Sequence, residues 1–143
     1  MLIEMHLARI LIREQTSAQL IELRESHPSH GEGRAFAIVI GISEAIAIDR
    51  RLSGRELGRP MTHDLLSHTI EALGATLESI AITNIVDGTF YATLVMTDRD
   101  GKRVEIDARP SDAIAVGIAG DVPIYVADSV IEHAIMPPLD EFE

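Results

Sequence analysis

Ser43-Glu44-Ala45-Ile46-Ala47-Ile48 returns later in the chain as Ser111-Asp112-Ala113-Ile114-Ala115-Val116. A serine, an acid, an identical Ala-Ile-Ala and a β-branched aliphatic residue recur in the same order. In both copies an apolar stretch runs straight into the serine, and turn-rich residues precede that stretch. Serine followed by an acid is common at helix starts, for capping and dipole reasons, so the hexapeptide alone is a weak signal. The shared order of strand, hairpin, strand and helix carries the reading further. It predicts an α+β fold, a mixed β-sheet domain with internal duplication of a strand–hairpin–strand–helix unit. The halves cover roughly 2–54 and 75–134, with a helix at 62–73 inserted between them. A single domain of 1–136 then gives way to an acidic tail at 137–143, which opens on Pro137-Pro138.

The flanking segments fit this frame. Ile3, Met5 and Leu7 alternate with Glu4 and His6, which predicts a strand over 2–13, and the alternation slips near Ala8-Arg9 as a bulge would make it do. A second strand is expected over 18–25. Ala35 to Ile42 is continuously apolar and reads as a central strand covered on both faces. Ser43 is expected to cap a helix that Gly54 closes, with Ala45, Ile48 and Leu52 as its buried stripe. Thr62 is the expected cap of the next helix, with Leu65, Leu66, Thr69, Ile70 and Leu73 on one side and Gly74 at its end. Strands over 76–86 and 89–97 flank Asp87-Gly88, with Phe90, Ala92, Leu94 and Met96 on one face. Asp98 to Gly101 reads as a hairpin turn. Val104, Ile106 and Ala108 then alternate with charged residues, and an apolar helix from Ser111 stops at Gly120. Ile124-Tyr125-Val126 is a last strand, and Ser129 with Glu132 reads as a capping box.

The chain has 143 residues, no cysteine and a net charge of -11. Disulfides and Cys-based zinc sites are therefore excluded. An acid stands in Met1–His6 where a secretory signal carries bases, and no apolar run approaches the roughly 20 residues of a membrane helix. Together these predict a soluble, cytoplasmic protein without a membrane partner. A generic nucleic-acid binder is normally basic, yet the charge here is uneven: Arg50, Arg51, Arg55 and Arg59 fall close together, while the segment from Asp128 onward has acids and no Lys or Arg. The chain holds three Phe, two Tyr and no Trp, little aromatic surface for stacking bases. No nucleophile elbow, phosphate loop, dinucleotide fingerprint or zinc-helix motif is present.

Two helix starts share one chemistry: Arg59-Pro60-Met61-Thr62-His63-Asp64 and Arg109-Pro110-Ser111-Asp112. Each sets an arginine before a helix N-terminus, where unpaired N–H groups favour an anion, and arginine grips phosphate in two places. Arg59 and Arg109 are thus the phosphate-binding candidates. The plain alternative is that Asp64 and Asp112 already fill the anion role as first-turn acids. His63 is the best candidate for proton transfer, although adjacent residues on a helix point about 100° apart, so His63 and Asp64 do not form a simple dyad. Glu44 and Asp112 occupy equivalent places in the two copies and would approach each other across a pseudo-two-fold axis; equally, each can serve only its own helix dipole. Asp64, His68 and Glu71 share a helix face, and Glu105 and Asp107 share a strand face. Either set can hold a divalent cation or merely face water.

Longer stretches point to a family. Val104 through Ala115, Val122 through Ala127, Arg59 through Leu66, Ile70 through Gly74, Phe36 through Glu44 and Gly88 through Ala92 resemble the signature of the bifunctional nuclease domain family. The resemblance runs from about residue 2 to 134. It implies degradation of RNA and DNA, and brings no settled catalytic residues with it. Combined with the residues above, it predicts phosphodiester hydrolysis. His63, Asp64, Asp112 and Glu44 are the catalytic candidates, and Arg59 and Arg109 hold phosphate. A divalent metal, Mg or Mn, would sit on some of Glu44, Asp64 and Asp112. The rival expectation is a non-catalytic module for ligand sensing or protein interaction. A homo-oligomer, most simply a dimer, is expected because large aliphatics crowd residues 2–12, including Ile10, Leu11 and Ile12.

Overall fold

A computed structural model describes residues 1–13, 15–55 and 58–134. Strand β1 (Leu2–Leu11) turns Met5 and Leu7 to the inner side of a sheet by alternation. Leu7 lies opposite Leu23, but Arg9 lies opposite Glu22, so Ala8 is the extra residue of a bulge. The bulge falls where the alternation slips in the sequence, and after it Ile10 pairs with Ile21 and returns to the core side.

β1, β2 (Gln19–Glu25) and β3 (Ala35–Ile40) form an antiparallel meander that feeds helix α1 (Ile42–Ser53). Helix α2 (Thr62–Ala72) follows. A second antiparallel meander of β4 (Thr76–Val86), β5 (Thr89–Thr97) and β6 (Arg103–Ala108) feeds α3 (Pro110–Gly117) and the 3-10 turn Ile118–Gly120. β7 (Ile124–Ala127) lies between the meanders, antiparallel to β1 and parallel to β4, and α4 (Asp128–Ala134) ends the described chain. The result is one mixed seven-stranded sheet in the order β3-β2-β1-β7-β4-β5-β6, with four α-helices, an α+β fold. None of these helices is long and apolar enough to cross a membrane.

The sheet curls. Phe36 on the first strand and Phe90 on the sixth stack with ring centroids 5.6 Å apart. Inside the curl, Ile21, Leu23, Ile48, Ile80, Ile82, Ile114, Val126 and Ile131 are fully buried. α1 and α3 pack on each other and on the sheet, and α2 packs on α3 and β4. Gln19 is the one buried polar side chain among the described strands; it donates to the Arg13 and Thr16 carbonyls at 2.9 and 2.7 Å and accepts from the Arg13 N–H. It closes the turn between β1 and β2.

Several expectations change. β3 is an edge strand, not a central one: its inner residues Phe36, Ile38 and Ile40 are buried, but Val39 is 65% exposed on the outer face. An unbroken apolar run does not by itself say how many faces are covered. β1, by contrast, is paired on both sides by β2 and β7, so it offers no open edge, and the open edges are β3 and β6. α1 is capped at Gly41, and Leu52 is exposed on its last turn, where the helix has passed the edge of the packing surface. α2 is capped at Met61, not Thr62, because the Asp64 carboxylate reaches back to accept the Met61 N–H at 2.9 Å. No residue of α2 is buried; Ile70 alone of its apolar side packs against the core, while Leu65 and Leu73 are 58% and 67% exposed. α4 starts at Asp128, so Ser129 lies inside it. The predicted tail at 137–143 lies outside the described residues.

Candidate active site

His63 occupies the first turn of α2, and Asp112 the first turn of α3. The packing of these helices brings His63 Nε2 to 2.9 Å from Asp112 Oδ1. Arg109, at the N-cap of α3, donates from Nε to Asp112 Oδ2 at 2.8 Å. Burial pushes the Asp112 carboxyl up, but hydrogen bonds from Arg109 and then His63 outweigh it and hold the group below the ordinary carboxylate range. An ionised carboxylate only accepts. The ring nitrogen facing it therefore carries a proton, so in the neutral ring the lone pair is on Nδ1. Among the described residues neither that Nδ1 nor the Nη atoms of Arg109 has a hydrogen-bond partner, and the Arg109 side chain is 66% exposed. Asp112 raises the pKa of Arg109, and nearby Glu44 adds to this.

Asp64 does different work from its neighbour. It takes Arg50 Nη2 on Oδ2 at 2.7 Å and Arg51 Nη1 on Oδ1, in addition to the Met61 N–H. Burial pushes its carboxyl up, and the Met61 N–H, Arg51 and Arg50 together bring it below its ordinary value. Arg51, nearly buried, also donates to the carbonyls of Ala115 and, at 2.9 Å, Val116. α1, the start of α2 and the later turns of α3 are thus fastened at one point. This sets the position of His63, one residue before Asp64.

The His63–Asp112–Arg109 group lines a cleft of about 740 Å³. Leu94, Met96, Ile106, Leu66, Ile70 and Val116 make its walls apolar, and Glu44 and Asp107 join the polar rim. A side chain on Gly41 would meet the Glu44 carboxylate, which folds back over that position. Arg59 does not line this cleft. It lines a smaller hollow of about 340 Å³ with Arg50, Arg51, Arg55 and His68, so the arginines of the two Arg-Pro motifs lie at different hollows.

The carboxylates proposed for a metal do not form a cage. Both oxygens of Asp64 and both of Asp112 are taken by cationic or ring N–H groups. Asp64 lines the smaller hollow and not the cleft that Glu44 and Asp112 share. His68 and Glu71 are exposed, and Glu105 is paired to Arg103 at 3.0 Å. Among the described residues no three His, Asp or Glu side chains converge as ligands would. The donor set does not fit a resident divalent ion in this arrangement.

Sequence reasoning passed over Arg50 and Arg51 as anything but local charge, and it missed the apolar cleft. The one available signal was two adjacent arginines in the last turn of α1, where the dipole explanation hides a side-chain partner on another helix.

The sequence matches the family profile described as "Bifunctional nuclease domain" over residues 23–138. An uncharacterized protein of Mycobacterium tuberculosis (strain H37Rv) is 37% identical over 131 residues, covering 92% of this chain and 75% of the relative. Bifunctional nuclease 1 of Oryza sativa subsp. indica is 24% identical over 122 residues, 78% of this chain but 37% of the plant protein. Bifunctional nuclease 2 of Arabidopsis thaliana is 24% identical over 98 residues, 67% of this chain and 30% of the relative. The extent of the profile match, which takes in His63, Arg109 and Asp112, places the chain in the bifunctional nuclease domain family.

Proposed function

We propose that this chain hydrolyses phosphodiester bonds in RNA or DNA at the His63–Asp112–Arg109 group. The observation that carries the reading is the His63–Asp112 hydrogen bond beside an arginine whose Nη atoms have no partner among the described residues. Arg109 grips the scissile phosphate and stabilises the charge that grows on it. His63 Nδ1 takes a proton from the attacking water and returns it to the departing oxygen. Asp112 holds the ring's tautomer and steadies the imidazolium. Asp64 is a positioning residue, and Glu44 shapes the rim beside Arg109. No step runs through a metal; magnesium or manganese enters as a variable of the assay.

The test is cleavage of single-stranded RNA and DNA by highly purified protein, with magnesium, manganese or EDTA. Wild-type cleavage that disappears in His63→Ala is the expected result. Cleavage unchanged in that variant means a contaminant or a different site.

A second reading is favoured by the apolar walls of the cleft. Such a cavity with a few convergent polar groups also suits a non-catalytic module that holds a small anionic ligand. Stabilisation by an intact ligand without turnover would select it. A homo-oligomer remains part of the proposal, now seated on the uncovered side of α2 and not on β1.

A further inference from the structure

We propose that the smaller hollow, lined by Arg50, Arg51, Arg55, Arg59 and His68, is a second phosphate subsite that holds the nucleic-acid backbone beside the scissile position. The inference rests on the nuclease reading above. The chain carries a net charge of -11, yet four arginines line this hollow with Asp64 as the one lining carboxylate among the described residues. Local potential, not net charge, decides where a polyanion can settle on an acidic protein.

The four arginines are not equivalent. Arg51 is spent on Asp64 and on two carbonyls, so it is a fixed charge in the wall. Arg50 gives Asp64 only Nη2 among the described residues. Arg55 pairs with Asp49 at 3.2 Å on open surface, a contact of little worth that a phosphate readily replaces. Arg59 is exposed and makes no ion pair with a described residue. Gly54 and Gly58 also line the hollow, and no described residue stands within 4 Å of where a side chain on either would be.

Continuity decides for a nucleic-acid chain over a free anion. Arg50 lines both this hollow and the large cleft, so the two share one residue. A strand with its scissile phosphate at Arg109 passes Arg50 and offers another phosphate to Arg55 and Arg59.

The test is binding of a labelled single-stranded oligonucleotide in EDTA, by fluorescence anisotropy across a salt series. Arg55→Ala/Arg59→Ala is compared with wild type and with Arg109→Ala, and thermal melting checks that each variant is folded. Removing two backbone contacts should weaken binding about tenfold and flatten the slope of log K against log salt by about 1.4. An unchanged affinity and slope overturns the subsite. A parallel arm follows melting with inorganic phosphate against chloride at matched ionic strength. Phosphate stabilisation that needs Arg55 and Arg59, with oligonucleotide affinity independent of them, makes the hollow a free-anion pocket and overturns the backbone assignment. Because binding is read without turnover, the result stands apart from the active-site test. Cleavage persisting in His63→Ala sinks the proposed active site but leaves the subsite.

Discussion

His63 Nε2 and Asp112 Oδ1 lie 2.9 Å apart and join the first turns of two helices across 49 residues of sequence. In the proposed mechanism the bond also selects which ring nitrogen takes the proton. Asp112→Asn keeps the shape but can accept or donate, so it no longer demands a proton on Nε2. We expect kcat to fall roughly 100-fold or more, with a lower thermal midpoint as well, because the charge that Arg109 and His63 hold in the folded protein is lost. Steady-state kinetics on a defined oligonucleotide would measure it. An unaltered kcat would remove the His63 tautomer from the mechanism.

Local features were readable from sequence because their causes are local. The bulge at Ala8, the Asp87-Gly88 turn with φ of 50° and 81°, and the helix ends at Gly54 and Gly74 with φ of 71° and 80° all follow from residue type or spacing. His63 and Arg109 were legible as helix-start chemistry. Their meeting through Asp112 was not, because no periodicity encodes how two helices pack. The same motif logic chose Arg59, which lies at the other hollow. Asp64 offers the same lesson: its partners Arg50 and Arg51 stand 14 and 13 residues upstream on another helix, and only the fold makes them neighbours. β3 misled for a related reason, since Ala37 and Val39 are as apolar as the buried residues between which they sit.

Gln19 should matter more to stability than its surface-type chemistry suggests. Its amide satisfies three backbone groups at the β1–β2 turn, two as donor and one as acceptor. Gln19→Leu leaves those groups to find water or go unpaired, at a cost of about 1–3 kcal/mol. Urea unfolding would show this as a lower midpoint with an unchanged slope. A midpoint equal to wild type would mean that the turn does not depend on the amide.

The uncovered side of α2 gives the proposed dimer a definite place. Met61, Leu65 and Leu73 are more than half exposed, and Ile46 of α1 is exposed too. Large apolar side chains left uncovered on one helix suit a protein contact. Light scattering on a sizing column at micromolar concentration should give twice the 15.6 kDa of one chain. Leu65→Glu/Leu73→Glu should return it to a folded single chain, since neither residue supports the core. A wild-type mass of one chain throughout that range would end the proposal.

Asp64 supplies a test in which pH separates charge from shape. Its carboxyl is held below its ordinary value in the folded protein. Such a group contributes its full stability above the unfolded pKa and loses it as pH falls through the folded one. Asp64→Asn still has an oxygen for the Met61 N–H but no charge for Arg50 and Arg51, so at pH 7 it should cost on the order of 3 kcal/mol. The wild-type advantage should hold down to about pH 4, the usual range of an unfolded aspartate, and shrink below it. Asp112 and Glu25 are also held low, by Arg109 and then His63 in one case and by Arg34 in the other. The acid sensitivity of the wild type alone therefore does not isolate Asp64, whereas the difference between wild type and variant does. Paired urea titrations from pH 7 to pH 3 would measure it. A gap that stays constant to pH 3 would mean that the Asp64 charge is not what binds the three helices together.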